Sequence, residues 1–108
     1  MFEEGDYLKM ETGTITKQKD KIKIKKPKIY KVIMHNDDYT TMEFVIKVLV
    51  EVFNKNIIDA EKIMLDVHRK GKGVAGIYSY DIAVTKVSVA MSMAKNEGFP
   101  FKLTTEEA

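Results

Sequence analysis

Tyr30, Val32 and Met34 alternate with Lys31, Ile33 and His35, a period-two pattern in residues that favour extended backbone, and it predicts a first strand. Asn36-Asp37-Asp38-Tyr39 is turn chemistry, and Thr40 followed three residues later by Glu43 spells a capping box at the head of a helical run. In that run Val45, Val48, Leu49, Val52 and Phe53 recur at spacings of three and four, and Asn54-Lys55-Asn56 closes it. A second helix runs from about Ile58 to Lys70 with Ala60, Ile63, Met64 and Val67 on its apolar side, and Gly71 suits the left-handed residue beyond its last turn. Val74 to Tyr78 reads as the second strand. Ser79 can cap a third helix with a stripe of Ala83, Val87, Ala90, Met91 and Ala94, which Gly98 and Pro100 stop. Phe101 to Thr105 is the third strand. The order βααβαβ predicts an α+β fold: a small three-stranded antiparallel sheet with three helices packed on one face. The pattern does not fix the order of strands within the sheet.

Charge divides the chain in two. Residues 1–29 hold eight lysines against five acids, whereas residues 30–108 hold ten basic residues against eleven acids. From Lys17 to Lys28 seven lysines stand among too few apolar residues to pack anything. Residues 1–28 are therefore expected to form a flexible lysine-rich arm, and residues 29–108 the folded domain. A nucleic-acid binder concentrates its positive charge on the folded surface, so this distribution argues against nucleic acid as a partner.

Length and composition narrow the classes further. A chain of 108 residues, 44% hydrophobic and 31% charged, has room for one compact domain with a single core. Cysteine is absent, which removes disulfides, thiolate metal sites and cysteine nucleophiles. The opening Met-Phe-Glu-Glu-Gly-Asp lacks a basic and then apolar leader, and no later run approaches the roughly 18 to 20 apolar residues of a membrane span. A cytoplasmic location with no membrane contact is expected.

Several motifs dissolve when their mechanism is considered. Gly71-Lys72-Gly73-Val74-Ala75-Gly76 matches the dinucleotide pattern GxGxxG, but that pattern works only after a strand and before a helix, the reverse of the order here. Asp37, Asp38 and His68 could suggest acid–base or metal chemistry. A metal needs three or four converging ligands, and His35 alternates away from His68, so neither a metal nor a cofactor is expected. There is no GxSxG elbow and no HExxH, and no catalytic residue is assigned. What remains is an acidic, amide-bearing turn at the head of one helix, and Met64, Val67 and His68 on one side of another. Spacing alone leaves the function undecided.

The run Tyr30-Lys-Val-Ile-Met-His-Asn36-Asp37-Asp38-Tyr39-Thr40-Thr41-Met42-Glu43-Phe44-Val45 strongly resembles the ClpS family of N-degron adaptors. Met64-Leu-Asp-Val67-His68-Arg-Lys-Gly71 and Asp81-Ile-Ala-Val-Thr85-Lys86-Val87 match the same family in order and spacing, so the resemblance spans about residues 28–107. It implies a domain like the C-terminal domain of the ribosomal stalk protein, not an enzyme. Its implied function is to bind the free α-amino group and large hydrophobic first residue (Leu, Phe, Tyr or Trp) of substrate proteins. Its implied partner is the N-terminal domain of a Clp-type AAA+ unfoldase, ClpA- or ClpC-like, to which it delivers those substrates for proteolysis.

Carried over by position, the resemblance implies an amine clamp of Asn36, Asp38 and His68, with Asp37 supporting the same turn. An α-ammonium offers three donors on one positive centre, and an amide oxygen, a carboxylate and a neutral imidazole nitrogen are suitable acceptors. The implied side-chain pocket is Thr40, Met42, Val45, Met64, Val67 and Phe101, and the implied unfoldase contacts are Asp81 and Lys86. Thr41 stands where relatives often have proline, and Phe101 where they often have leucine. The runner-up is a ribosome-associated or other protein-binding module of the same fold without N-terminus recognition, which fold alone would permit.

Overall fold

The computed structural model describes residues 28–108. The elements follow the predicted order: β1 (Ile29–His35), α1 (Met42–Glu51), α2 (Ile57–Lys70), β2 (Lys72–Ser79), α3 (Tyr80–Glu97) and β3 (Lys102–Glu107). The expected lysine-rich arm, residues 1–28, lies outside the described residues except for Lys28.

The sheet is antiparallel with β1 in the centre, in the order β2-β1-β3. Alternation along β1 sends Val32 and Met34, both fully buried, into the core beneath the helices. Ile33 points to the opposite face and is still buried, because a central strand is sheltered on both sides by its neighbours. Between Val32 and Ile33 the pairing with β2 shifts, so that Val32 faces Gly76 and Ile33 faces Val74. The intervening Ala75 is an extra residue, a bulge, and it is fully buried.

The helices start where local acceptors are available. Thr41, not Thr40, is the N-cap of α1, its hydroxyl accepting from the Phe44 N–H at 3.2 Å. The Thr40 hydroxyl is turned back to Asp37, to which it donates, rather than toward the first turn of the helix. Asn56 caps α2 by accepting from the Asp59 N–H at 2.8 Å. Ser79 occupies the N-cap of α3 without a side-chain capping bond. Along α3, Ala83, Ala90 and Ala94 face inward, and their small side chains let the helix lie close on the sheet. Met91, expected on the same stripe, is 39% exposed.

Phe44 completes the core between α1 and the last strand. Its ring meets Phe99 at 5.1 Å and Phe101 at 5.6 Å, both edge-on. Among the described residues the elements close around one core, with α1 and α2 meeting at the end of the sheet where β1 finishes and β2 begins.

Candidate functional site

At that end of the sheet a pocket of about 260 Å³ opens between the β1–α1 turn and α2, lined by Asn36, Asp37, Asp38, Thr40, Met42, Val45, Met64, Val67 and His68. Drug-sized ligands occupy sites of roughly 300–1,000 Å³, so this one has room for a single large side chain. Nine of the ten residues expected to meet the substrate's first residue are gathered here. Phe101 is not among them: it is buried behind α1 against Phe44 and borders a separate recess beside Phe99 and Met91. The aromatic cluster around Phe44 accounts for this, because it draws the ring into the core.

The turn between β1 and α1 is built around Asp37. One carboxylate oxygen accepts from the backbone N–H groups of Tyr39 at 2.8 Å and Thr40 at 2.7 Å, and the other accepts from the Thr40 hydroxyl at 2.7 Å. Partial burial disfavours the Asp37 charge, but these bonds outweigh it and hold the carboxyl below its ordinary pKa. With both oxygens used in this way, Asp37 shapes the turn that presents its neighbours. Asn36 and Asp38 are exposed on either side of it.

The second wall comes from α2. Val67 is buried against the sheet, Met64 is half-buried, and His68 is exposed at the helix's last turn. The close approach of α2 to β2 depends on Gly73, where an added Cβ would sit 3.0 Å from the Val67 side chain. Gly71 ends the helix with φ +89°. Its carbonyl accepts the Asn36 N–H at 2.9 Å, which ties the turn to the end of α2.

The outcome is an apolar cleft from Met42, Val45, Met64 and Val67, with Asn36, Asp38 and His68 at its polar rim. Among the described residues none of these three rim side chains makes a side-chain hydrogen bond or ion pair, so their acceptor atoms are available. The C-terminal turn of α2 adds partial negative charge beside His68, which favours a cation there. The arrangement can hold a small cationic head with an apolar side chain. Among the described residues no three His, Cys, Asp or Glu side chains converge to hold a metal.

Away from the pocket, Asp81 is exposed in the first turn of α3. Lys86 is occupied within the chain: its ammonium donates to the Val52 carbonyl at 2.5 Å and to Asn54 Oδ1 at 3.1 Å, and lies 5.2 Å from the Tyr78 ring centre. It thereby closes the end of α1. Sequence spacing gave no sign of this contact, which joins residues 32 and 34 positions apart. The glycines of GxGxxG lie after a helix and within a strand, so the dinucleotide geometry is absent from this segment. No helix among the described residues is long and apolar enough to cross a membrane.

Comparison with known proteins agrees with this fold. The family profile described as ATP-dependent Clp protease adaptor protein ClpS matches residues 25–104. The ATP-dependent Clp protease adapter protein ClpS of Clostridium acetobutylicum is 58% identical over 89 residues, covering 82% of this chain and 88% of the relative. That of Acetivibrio thermocellus is 53% identical over 97 residues, covering 90% of this chain and 98% of the relative. The solved structure of Agrobacterium tumefaciens ClpS2 bound to L-phenylalaninamide superposes with a TM-score of 0.74 at 42% identity, covering 77% of this chain and all of that one. With the family profile, the relatives and the fold in agreement, the chain belongs to the ClpS family of adaptor proteins for the ATP-dependent Clp protease.

Proposed function

We propose that this adaptor recognises proteins by their first residue, through the free α-ammonium and a large hydrophobic side chain, and delivers them to the Clp protease. The observation that carries the reading is that Asn36, Asp38 and His68, whose side chains have no hydrogen-bond or ion-pair partner among the described residues, line one apolar cleft together. The ammonium sits among these acceptors, and the side chain (Leu, Phe, Tyr or Trp) enters between Met42, Val45, Met64 and Val67. Asp37 positions the rim, and Thr40, with its hydroxyl turned to Asp37, forms part of the wall. L-phenylalaninamide, the molecule bound by the Agrobacterium relative, combines a free α-amine with an aromatic side chain and so has the chemistry this cleft suits.

Recognition of this kind needs no bond to be made or broken, and the adaptor contributes binding alone. Delivery requires a second surface, which we assign to α3 around Asp81, facing the N-terminal domain of a ClpA- or ClpC-like unfoldase in the cytoplasm. Lys86 contributes to that surface by fixing the α1–α2 connection beside it. The lysine-rich arm, residues 1–28, assists delivery.

Short peptides differing only in their first residue test the assignment. Leu, Phe, Tyr and Trp peptides should bind the full chain, and Ala, Ser, Asp and Lys peptides should not. Equal binding across the series would favour a general protein-binding module of the same fold.

A further inference from the structure

Two thioethers stand on opposite walls of the cleft. Met42 occupies the first helical position of α1, directly after the Thr41 cap, and Met64 lies on α2; both line the pocket. They differ in exposure, since Met42 is 53% exposed whereas Met64 is half-buried. Elsewhere in the described residues Met34 is fully buried beneath the helices, Met93 is half-buried, and Met91 is 39% exposed on α3, away from this cleft. The most exposed methionine among the described residues is therefore one that lines the first-residue cleft.

The chain has no cysteine, so its exposed thioethers are the sulfur atoms on which a peroxide can act. A sulfur lone pair attacks one oxygen of hydrogen peroxide. The S–O bond forms as the O–O bond breaks, sulfur gives up two electrons, and the second oxygen leaves as water after taking up the proton of the first. The sulfoxide can be returned to the thioether by two thiols, which become a disulfide and release water. Met42 belongs neither to the hydrophobic core nor to the partly buried residues packed against it, so an added oxygen there leaves the fold intact. Its effect falls on the cleft.

From this placement we infer that Met42 is a reversible oxidation site whose sulfoxide lowers the affinity of the cleft for large hydrophobic first residues. The inference rests on the first-residue reading and deepens it. A thioether offers an apolar, polarisable surface to such a side chain, whereas a sulfoxide presents a strongly polar oxygen that the incoming side chain would strip of water. Val45, Met64 and Val67 carry no donor to replace that water, and the Thr40 hydroxyl already donates to Asp37. An acceptor desolvated without a partner should weaken binding about tenfold or more.

The experiment treats the full chain with increasing hydrogen peroxide, reads oxidation at each methionine by peptide mass spectrometry, and follows binding of a free Leu-initiated peptide by fluorescence anisotropy on the same samples. Met42 should oxidise before Met64 and Met34, and affinity should fall in step with the Met42 sulfoxide while the urea midpoint stays where it was. A thiol-dependent methionine sulfoxide reductase should restore binding. Met42→Leu, which keeps an apolar side chain of similar volume without sulfur, should bind after peroxide as it did before, whereas Met91→Leu should lose affinity as the parent does. Full oxidation of Met42 without loss of affinity, an equal loss in Met42→Leu, or a Met42 that stays reduced while Met34 and Met64 oxidise would overturn the inference. The acetylated Leu peptide, measured before any peroxide is added, keeps the two ideas separate: failure of the first-residue reading shows there, and failure of this inference only in the peroxide series.

Discussion

The backbone N–H of Asn36 donates to the carbonyl of Gly71 over 2.9 Å, joining the end of β1 to the residue that closes α2. Through it the two halves of the proposed amine clamp, Asn36 on the turn and His68 in the last helical turn, keep a fixed separation. The bond depends on the left-handed backbone at Gly71, φ +89°. A side chain costs roughly 1–2 kcal/mol in that conformation, and asparagine tolerates it better than alanine does. Gly71→Ala should therefore lower unfolding stability by about 1 kcal/mol and weaken binding of a Leu-initiated peptide, whereas Gly71→Asn should largely retain both. Urea unfolding and anisotropy on the same samples check this, and an Ala variant that matches the parent in both would remove Gly71 from the account.

Met42 lines the pocket from the first turn of α1 and is 53% exposed, so its side chain borders the opening. On the proposed first-residue reading, an unbranched thioether there would occupy the space that a β-branched substrate side chain needs near its own Cα. Met42→Ala should admit Ile and Val as first residues and narrow their gap from Leu. Discrimination by the position of one methyl is worth about 1–3 kcal/mol, so the titration must resolve tenfold changes. An unchanged gap between Leu and Ile peptides would place the discriminating contact elsewhere.

Two groups give stability opposite relations to their charge but the same direction with pH. Asp37 has a folded pKa depressed by the Thr40 and Tyr39 bonds against the opposing effect of burial. Its stabilisation is present above the unfolded carboxylate value of about 3.9 and is lost as pH falls through the lower folded value. His35 is held neutral in the fold, chiefly by burial and then by Lys102 and Lys72. Below about pH 6.5 the unfolded chain takes up that proton first, so stability declines from there down to the folded value and then levels. Urea midpoints measured from pH 7.5 to 3 should show both windows. His35→Gln should flatten the upper one and Asp37→Asn the lower, and a parent curve without slope in either window would contradict these assignments.

Periodicity made the six elements legible because each has its own burial pattern: alternation in β1, three-and-four spacing in the helices, and glycines at the two left-handed helix ends, Gly71 and Gly98. Pairing was not legible. Nothing local in Tyr30–His35 says that this strand is central, and the burial of Ile33 on the face opposite the helices follows only from that position. The cap of α1 was misplaced by one residue because the sequence offers two adjacent threonines, and the competition is decided by the Asp37 carboxylate capturing Thr40. The pocket was read through resemblance, and there the residues with a local signature came together. Phe101 did not, because its place is set by ring packing with Phe44 from 57 positions away.

The central claim is that Asn36, Asp38 and His68 hold a free, charged α-amine, and acetylating that amine tests it most directly. Acetylation removes the positive charge and two donors and puts a methyl group at the rim where the three acceptors meet. Hydrogen bonds to charged groups contribute roughly 1.5–3 kcal/mol each, so losing two should weaken binding about a hundredfold or more. His68→Ala, which deletes one acceptor and leaves two, should cost less. The measurement is fluorescence anisotropy of a Leu-initiated peptide, free and acetylated, with the full chain and with His68→Ala at neutral pH. The account predicts tight binding of the free peptide alone, reduced in the variant. Equal affinity for the free and acetylated peptides would contradict it.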